Sequence, residues 1–82
     1  MEGLAVGRMV HYVLEDGPSK GQVRPATVVR IWEGSAGGCC QLQVLTDGHN
    51  DGEQYAGGIA WKTSRLYDAD GKPGTWHWPP RV

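Results

Sequence analysis

Phenylalanine is absent from this 82-residue chain, which nevertheless carries four Trp and three Tyr. A core that needs only volume uses Phe as well. Trp and Tyr add a polar handle to a large apolar face and suit surfaces that are half buried and half engaged in recognition. Cysteine is also scarce: the two present, Cys39 and Cys40, are neighbours. A bridge between adjacent residues closes a strained ring and constrains almost nothing, which excludes a disulfide scaffold and points to reduced thiols. No second Cys pair completes a zinc site, so no metal or other cofactor is expected. An excess of charge of one sign is lacking too. Eight basic against nine acidic residues leave a net charge of -1, too little for a face that grips a nucleic-acid backbone through counterion release. That argues against bulk nucleic-acid binding and leaves room for a local anion site. No apolar run is long enough to cross a bilayer, and residues 1–7 lack the basic start and apolar centre of a signal peptide. The expectation is a soluble cytoplasmic protein with no membrane partner.

Glycine and proline are plentiful, thirteen and five, spread as punctuation between short β-branched runs. This pattern predicts an all-β domain spanning residues 1–82. Strands are expected over Arg8 to Leu14, Arg24 to Trp32, Cys40 to Thr46, Gln54 to Lys62 and Thr75 to Trp78. Polar, Gly-rich turns separate them, including 34–38 and 47–52. Gly57-Gly58 suggests a bulge or bend within the fourth run, and Ser64 to Tyr67 a short helical turn or kink. No stretch keeps a helical apolar period. Tight turns between such strands fit a small, strongly bent antiparallel sheet or Src-homology-3-like barrel.

The first two strands depart from simple alternation. Val10, Tyr12 and Leu14 lie opposite Met9, His11 and Val13, so both faces are largely apolar. A solvated antiparallel sheet keeps one polar face. Either the Trp76–Trp78 tail covers the outer face or another subunit does. A chain this short also buries only roughly 60–65% of its unfolded surface, so self-association is an expected support and the protein is read as a homo-oligomer.

Three constellations could carry recognition. Trp76 and Trp78 share one face if the tail is extended; they either close the open end of the sheet or stack on a planar ligand. Arg24, Arg30, Lys62 and Arg65 lie on or beside strands, and Arg30 alternates with Val28 and Trp32, a pattern suited to cation–π contact and to gripping phosphate or carboxylate. The loop Asp47-Gly48-His49-Asn50-Asp51-Gly52 begins like a calcium loop, but its twelfth position falls on Gly58 where a Glu is needed; a hydrogen-bonded turn or a reader of ribose hydroxyls remains. His11, His49 and His77 are dispersed, and no nucleophile elbow is present. The chain is therefore read as a non-enzyme. Stacking is assigned to Trp32, Trp61 and Trp76 or Trp78, charge to Arg24, Arg30 and Arg65, and orientation to His11, Tyr12, Asn50 and Asp51.

Val10-His11-Tyr12-Val13, Arg24-Pro25-Ala26, Leu42-Gln43-Val44 with Thr46-Asp47-Gly48 and Asn50-Asp51, and Gly74-Thr75-Trp76-His77-Trp78-Pro79 together resemble a group of short phage and prophage proteins. Gly37-Gly38-Cys39-Cys40 departs from that pattern. The resemblance implies activity in the host cytoplasm, during infection or from a prophage. It also suggests similarity to anti-defence proteins that sequester nucleotide immune signals as oligomeric sponges. The leading expectation is such a sponge for a small anionic nucleotide-like ligand. The alternatives are a protein-interaction module that docks through its aromatic surface and a nucleotide-signal hydrolase with a site between subunits.

Overall fold

The computed structural model describes residues 1–34 and 37–80; Ser35 and Ala36 of the expected 34–38 turn lie outside the described residues. Five strands form one antiparallel sheet: β1 (Met9–Val13), β2 (Val23–Ile31), β3 (Cys40–Leu45), β4 (Ile59–Arg65) and β5 (Trp76–His77). Their spatial order is β4-β3-β2-β1-β5. The all-β, antiparallel expectation therefore holds, in the form of a bent sheet that is not closed. A single parallel bridge between Tyr67 and Trp76 brings the chain beyond β4 alongside β5 at one end.

Register assigns the two faces. Val10 pairs with Ala26, Ala26 with Val44 and Val28 with Leu42, and all of these side chains are buried. With Tyr12, Leu14, Cys40, Tyr55 and Trp76 they form the core, against which Leu4, Ile31, Ala60, Tyr67 and Trp78 pack. A bulge between Val28 and Arg30 then resets the alternation, so Arg30 pairs with Gln41 and Ile31 with Cys40. An extra residue turns every later side chain to the other face. Arg30 and Trp32 consequently leave the face of Val28, with which simple alternation had grouped them. Burial also pushes the Cys40 thiol pKa up to about 11, with Cys39 adding to the shift.

The fourth expected strand is corrected. Glu53–Tyr55 is a 3-10 turn that buries Tyr55, and the strand begins only at Ile59. Gly52 (φ 121°) and Gly58 (φ 79°) reverse the chain on either side of that turn, in backbone conformations open to glycine. The Asp47–Gly52 loop is a second 3-10 turn, Gly48–Asp51. The kink expected at residues 64–67 is present as Ser64, at φ 55° within β4.

Asp51 fixes this loop to the sheet. Its carboxylate is fully buried, takes two hydrogen bonds from the Arg24 guanidinium at 2.7 and 2.6 Å, and accepts the Asp47 N–H at 2.7 Å. The Arg24 bonds hold the Asp51 pKa well below the usual carboxylate range, outweighing the cost of burial. Because folding lowers this pKa, the stabilisation is fully present above about pH 4 and is lost as pH falls towards the native value. Asp51→Ala should cost about 3 kcal/mol, since it strands a partly buried guanidinium, and should flatten the acid limb of stability against pH measured by urea denaturation.

Candidate ligand-binding site

The residues expected to form one site are distributed over several places. Trp76 is completely buried, and its indole N–H donates to the Gly38 carbonyl at 2.9 Å. Its ring meets Tyr67 and Trp78 edge to face, each at 5.1 Å. Trp76 is thus a core residue, and the tail covers the inner face rather than the outer one. Arg24 and Asp51 satisfy each other. Asn50 is exposed, and its backbone carbonyl is the acceptor for Ser19 Oγ at 3.5 Å.

Tyr12 and Arg65 meet through a residue the sequence did not single out. Glu15 accepts the Tyr12 phenol at 2.6 Å and pairs with Lys62 at 3.1 Å and Arg65 at 3.0 Å. Burial alone would raise the Glu15 pKa, but the Tyr12 phenol, a backbone hydrogen bond and Lys62 together bring it below the usual carboxylate range. Burial, reinforced by the bond to Glu15, drives the Tyr12 phenol upward. Nearby, Tyr55 donates to Asp16 at 2.6 Å and accepts from Lys62 at 3.2 Å. This network joins the end of β1 to β4 and occupies its cations internally.

Among the described residues, two guanidinium–indole units remain at the surface. Arg30 lies over the Trp32 ring, 4.0 Å from its centroid, while Trp32 Nε1 donates to Gln41 at 2.9 Å. Gln41 also accepts the Ser64 N–H, so the indole is anchored from both β3 and β4. The second unit pairs Trp78 with Arg8, a residue the sequence reading left unassigned; the guanidinium carbon is 5.5 Å from the ring centroid. Backbone bonds hold this end of the chain on β2: Gly7 N–H donates to the Val28 carbonyl and Val28 N–H to that of Arg8.

Among the described residues, the Arg8 unit and not the Arg30 unit borders a cleft of about 400 Å³ lined by Glu2, Gly3, Arg8, Met9, Trp78 and Pro79. Gly3, at φ 83°, turns the N-terminal segment beside the indole in a backbone conformation that favours glycine; a Cβ there would meet the Trp78 ring at an ordinary contact distance of 3.9 Å. Trp78 and Met9 supply apolar walls, Arg8 a cation, and Glu2 a carboxylate able to accept from an amine or hydroxyl.

His11 and Trp61 lie on the outer face. His11 faces His77 in register, edge on at 5.9 Å. Burial and then the neighbouring His11 push the His77 pKa down, with Asp68 opposing. Among the described residues no three His, Cys, Asp or Glu side chains cluster as a metal site. No family matches the chain, no curated protein is detectably similar, and no solved structure matches its fold.

Glu15→Gln tests the internal network. Loss of the shared anion should destabilise the domain by about 2 kcal/mol, as Lys62 and Arg65 lose their partner. Because folding lowers the Glu15 pKa, the wild-type advantage over the variant should shrink on acidification below about pH 4, as read by denaturant midpoints.

Proposed function

We propose that this protein is a non-enzymatic binding protein that sequesters a small anionic, nucleotide-like ligand. The Arg8–Trp78 cleft carries the reading. A planar base gains from an indole wall and a thioether, and a phosphate gains from the guanidinium at the same rim. Glu2 adds an acceptor suited to an exocyclic amine or a ribose hydroxyl. The Arg30–Trp32 stack offers a second guanidinium held by an aromatic plane.

Sequestration without turnover agrees with the site's composition. Among the described residues, the cleft's lining supplies a carboxylate and a guanidinium and no nucleophilic Ser, Thr or Cys and no histidine. The likeness of the sequence to short phage and prophage proteins supports a role in the host cytoplasm as an anti-defence sponge that withholds an immune signal.

Isothermal titration with cyclic and adenosine-based nucleotides should give binding tighter than ~100 µM, a free energy of at least about 5–6 kcal/mol. Arg8→Ala and Trp78→Ala should each weaken it about tenfold, with a shallow salt dependence because few phosphates are engaged. Chromatography should return the nucleotide unaltered. Absence of heat across the panel would overturn the proposal, and conversion of the nucleotide would replace it with the hydrolase reading.

A further inference from the structure

We propose that β4 is the seam of a homodimer, in which two copies pair edge to edge about a two-fold axis at Trp61. This stands apart from the ligand reading and rests on the phase of the β3–β4 ladder. Thr46 N–H donates to the Gly58 carbonyl, and the register continues as Leu45 with Ile59, Val44 with Ala60, Gln43 with Trp61 and Leu42 with Lys62. Bonded and non-bonded pairs alternate along an antiparallel ladder. Ala60 and Lys62 therefore direct their backbone groups toward β3, whereas Ile59, Trp61 and Thr63 direct theirs away from it. Among the described residues no backbone hydrogen bond from a turn, loop or bridge outside the strand ladders reaches those outward groups. The clasp at Tyr67 and Trp76 engages the chain only beyond the strand.

The outward set is symmetric. Ile59 and Thr63 flank Trp61 at equal spacing, and Ser64, at φ 55°, ends the regular edge one residue later. An axis at Trp61 places Ile59 against the partner's Thr63 and Trp61 against the partner's Trp61, each a bonded pair on the same face. An axis at Lys62 would bond only Trp61 with the partner's Thr63, leave Ile59 beyond the regular edge, and bring the two Lys62 side chains together as the close non-bonded pair.

This edge is only lightly protected: Lys62 turns inward to Glu15, β4 contains no proline, and the register shift of the β3–β4 ladder comes only beyond Lys62. Outside, Trp61 is 63% exposed, Ile59 58% and Leu45 45%. The register positions from Ile59, Trp61 and Gln43 across to Thr27, Met9 and Val13 carry no Lys, Asp or Glu. Arg30, which the bulge turns to this face, lies on β2, two strands in from the seam, so a second copy meets no like charge at the axis and the outer faces of the two sheets become continuous.

Sedimentation equilibrium of the full chain should show a dimer forming within ~1–100 µM. Trp61→Lys opposes two cations at the axis and should weaken it about tenfold or more. Thr63→Pro removes an N–H that β3 does not use, and should weaken the dimer while leaving the circular-dichroism spectrum unchanged. Independently of either variant, amide exchange at Trp61 and Thr63 should slow as wild-type concentration rises. A monomer at ~100 µM, or concentration-independent exchange at those amides, would overturn the proposal. So would a Thr63→Pro dimer of wild-type affinity, which would mean the faces stack instead. Nucleotide binding by a monomer would overturn this inference and leave the ligand reading standing.

Discussion

Trp76 has no exposed surface, so its indole N–H needs an acceptor inside the protein, and the Gly38 carbonyl supplies it. Much of the architecture follows from seating that one ring. Its backbone pairs with Tyr12 on one side and bridges Tyr67 on the other, which ties the first strand to the chain leaving β4. Gly38, at φ 67°, sits in a backbone conformation that favours glycine, and a Cβ there would crowd the Trp76 ring, the Met1 side chain and Tyr67 at 3.1–3.2 Å. Trp78 then packs edge on against Trp76, and the N-terminal segment folds over Trp78. The cleft borders this aromatic stack.

Internal pairing decides which cations remain for recognition. Arg24 is held by Asp51, while Lys62 and Arg65 share Glu15. Each of these pairs is partly or wholly withdrawn from water, where an isolated charge is costly and a matched one is tolerated. Arg8 and Arg30 instead lie on indole faces, which shelter the flat guanidinium without neutralising it. A balanced overall charge therefore coexists with two exposed, oriented cationic groups.

The fold class was legible because glycine and proline mark the turns and β-branched runs mark the strands. The first three strands and the last fall close to their expected places. The start of β4 was not, because Gln54 and Tyr55 look like strand residues until the loop glycines on both sides reverse the chain. The face of Arg30 was hidden for a related reason: a bulge has no local signature in Val28-Val29-Arg30, yet it inverts the alternation. Of the two surface guanidinium–indole units, Trp78, Trp32 and Arg30 had been singled out from composition and spacing. Arg8 was not, since its partner depends on the N-terminal segment returning to Trp78, a contact between opposite ends of the chain. Glu15 was equally silent; its role exists only because Lys62 and Arg65 arrive from a strand some fifty residues later. Trp76 looked like a recognition residue, but the unexposed position opposite Tyr12 makes it core.

The two adjacent sulfur atoms have unequal surroundings. Cys40 points into the core, and at neutral pH a thiol with its pKa near 11 holds almost no thiolate. Cys39 is half-buried just outside the start of β3. A maleimide dye or spin label added to the native protein will therefore attach at Cys39 and spare its neighbour. That gives a single reporter position beside the Gly38–Trp76 contact without any engineered cysteine.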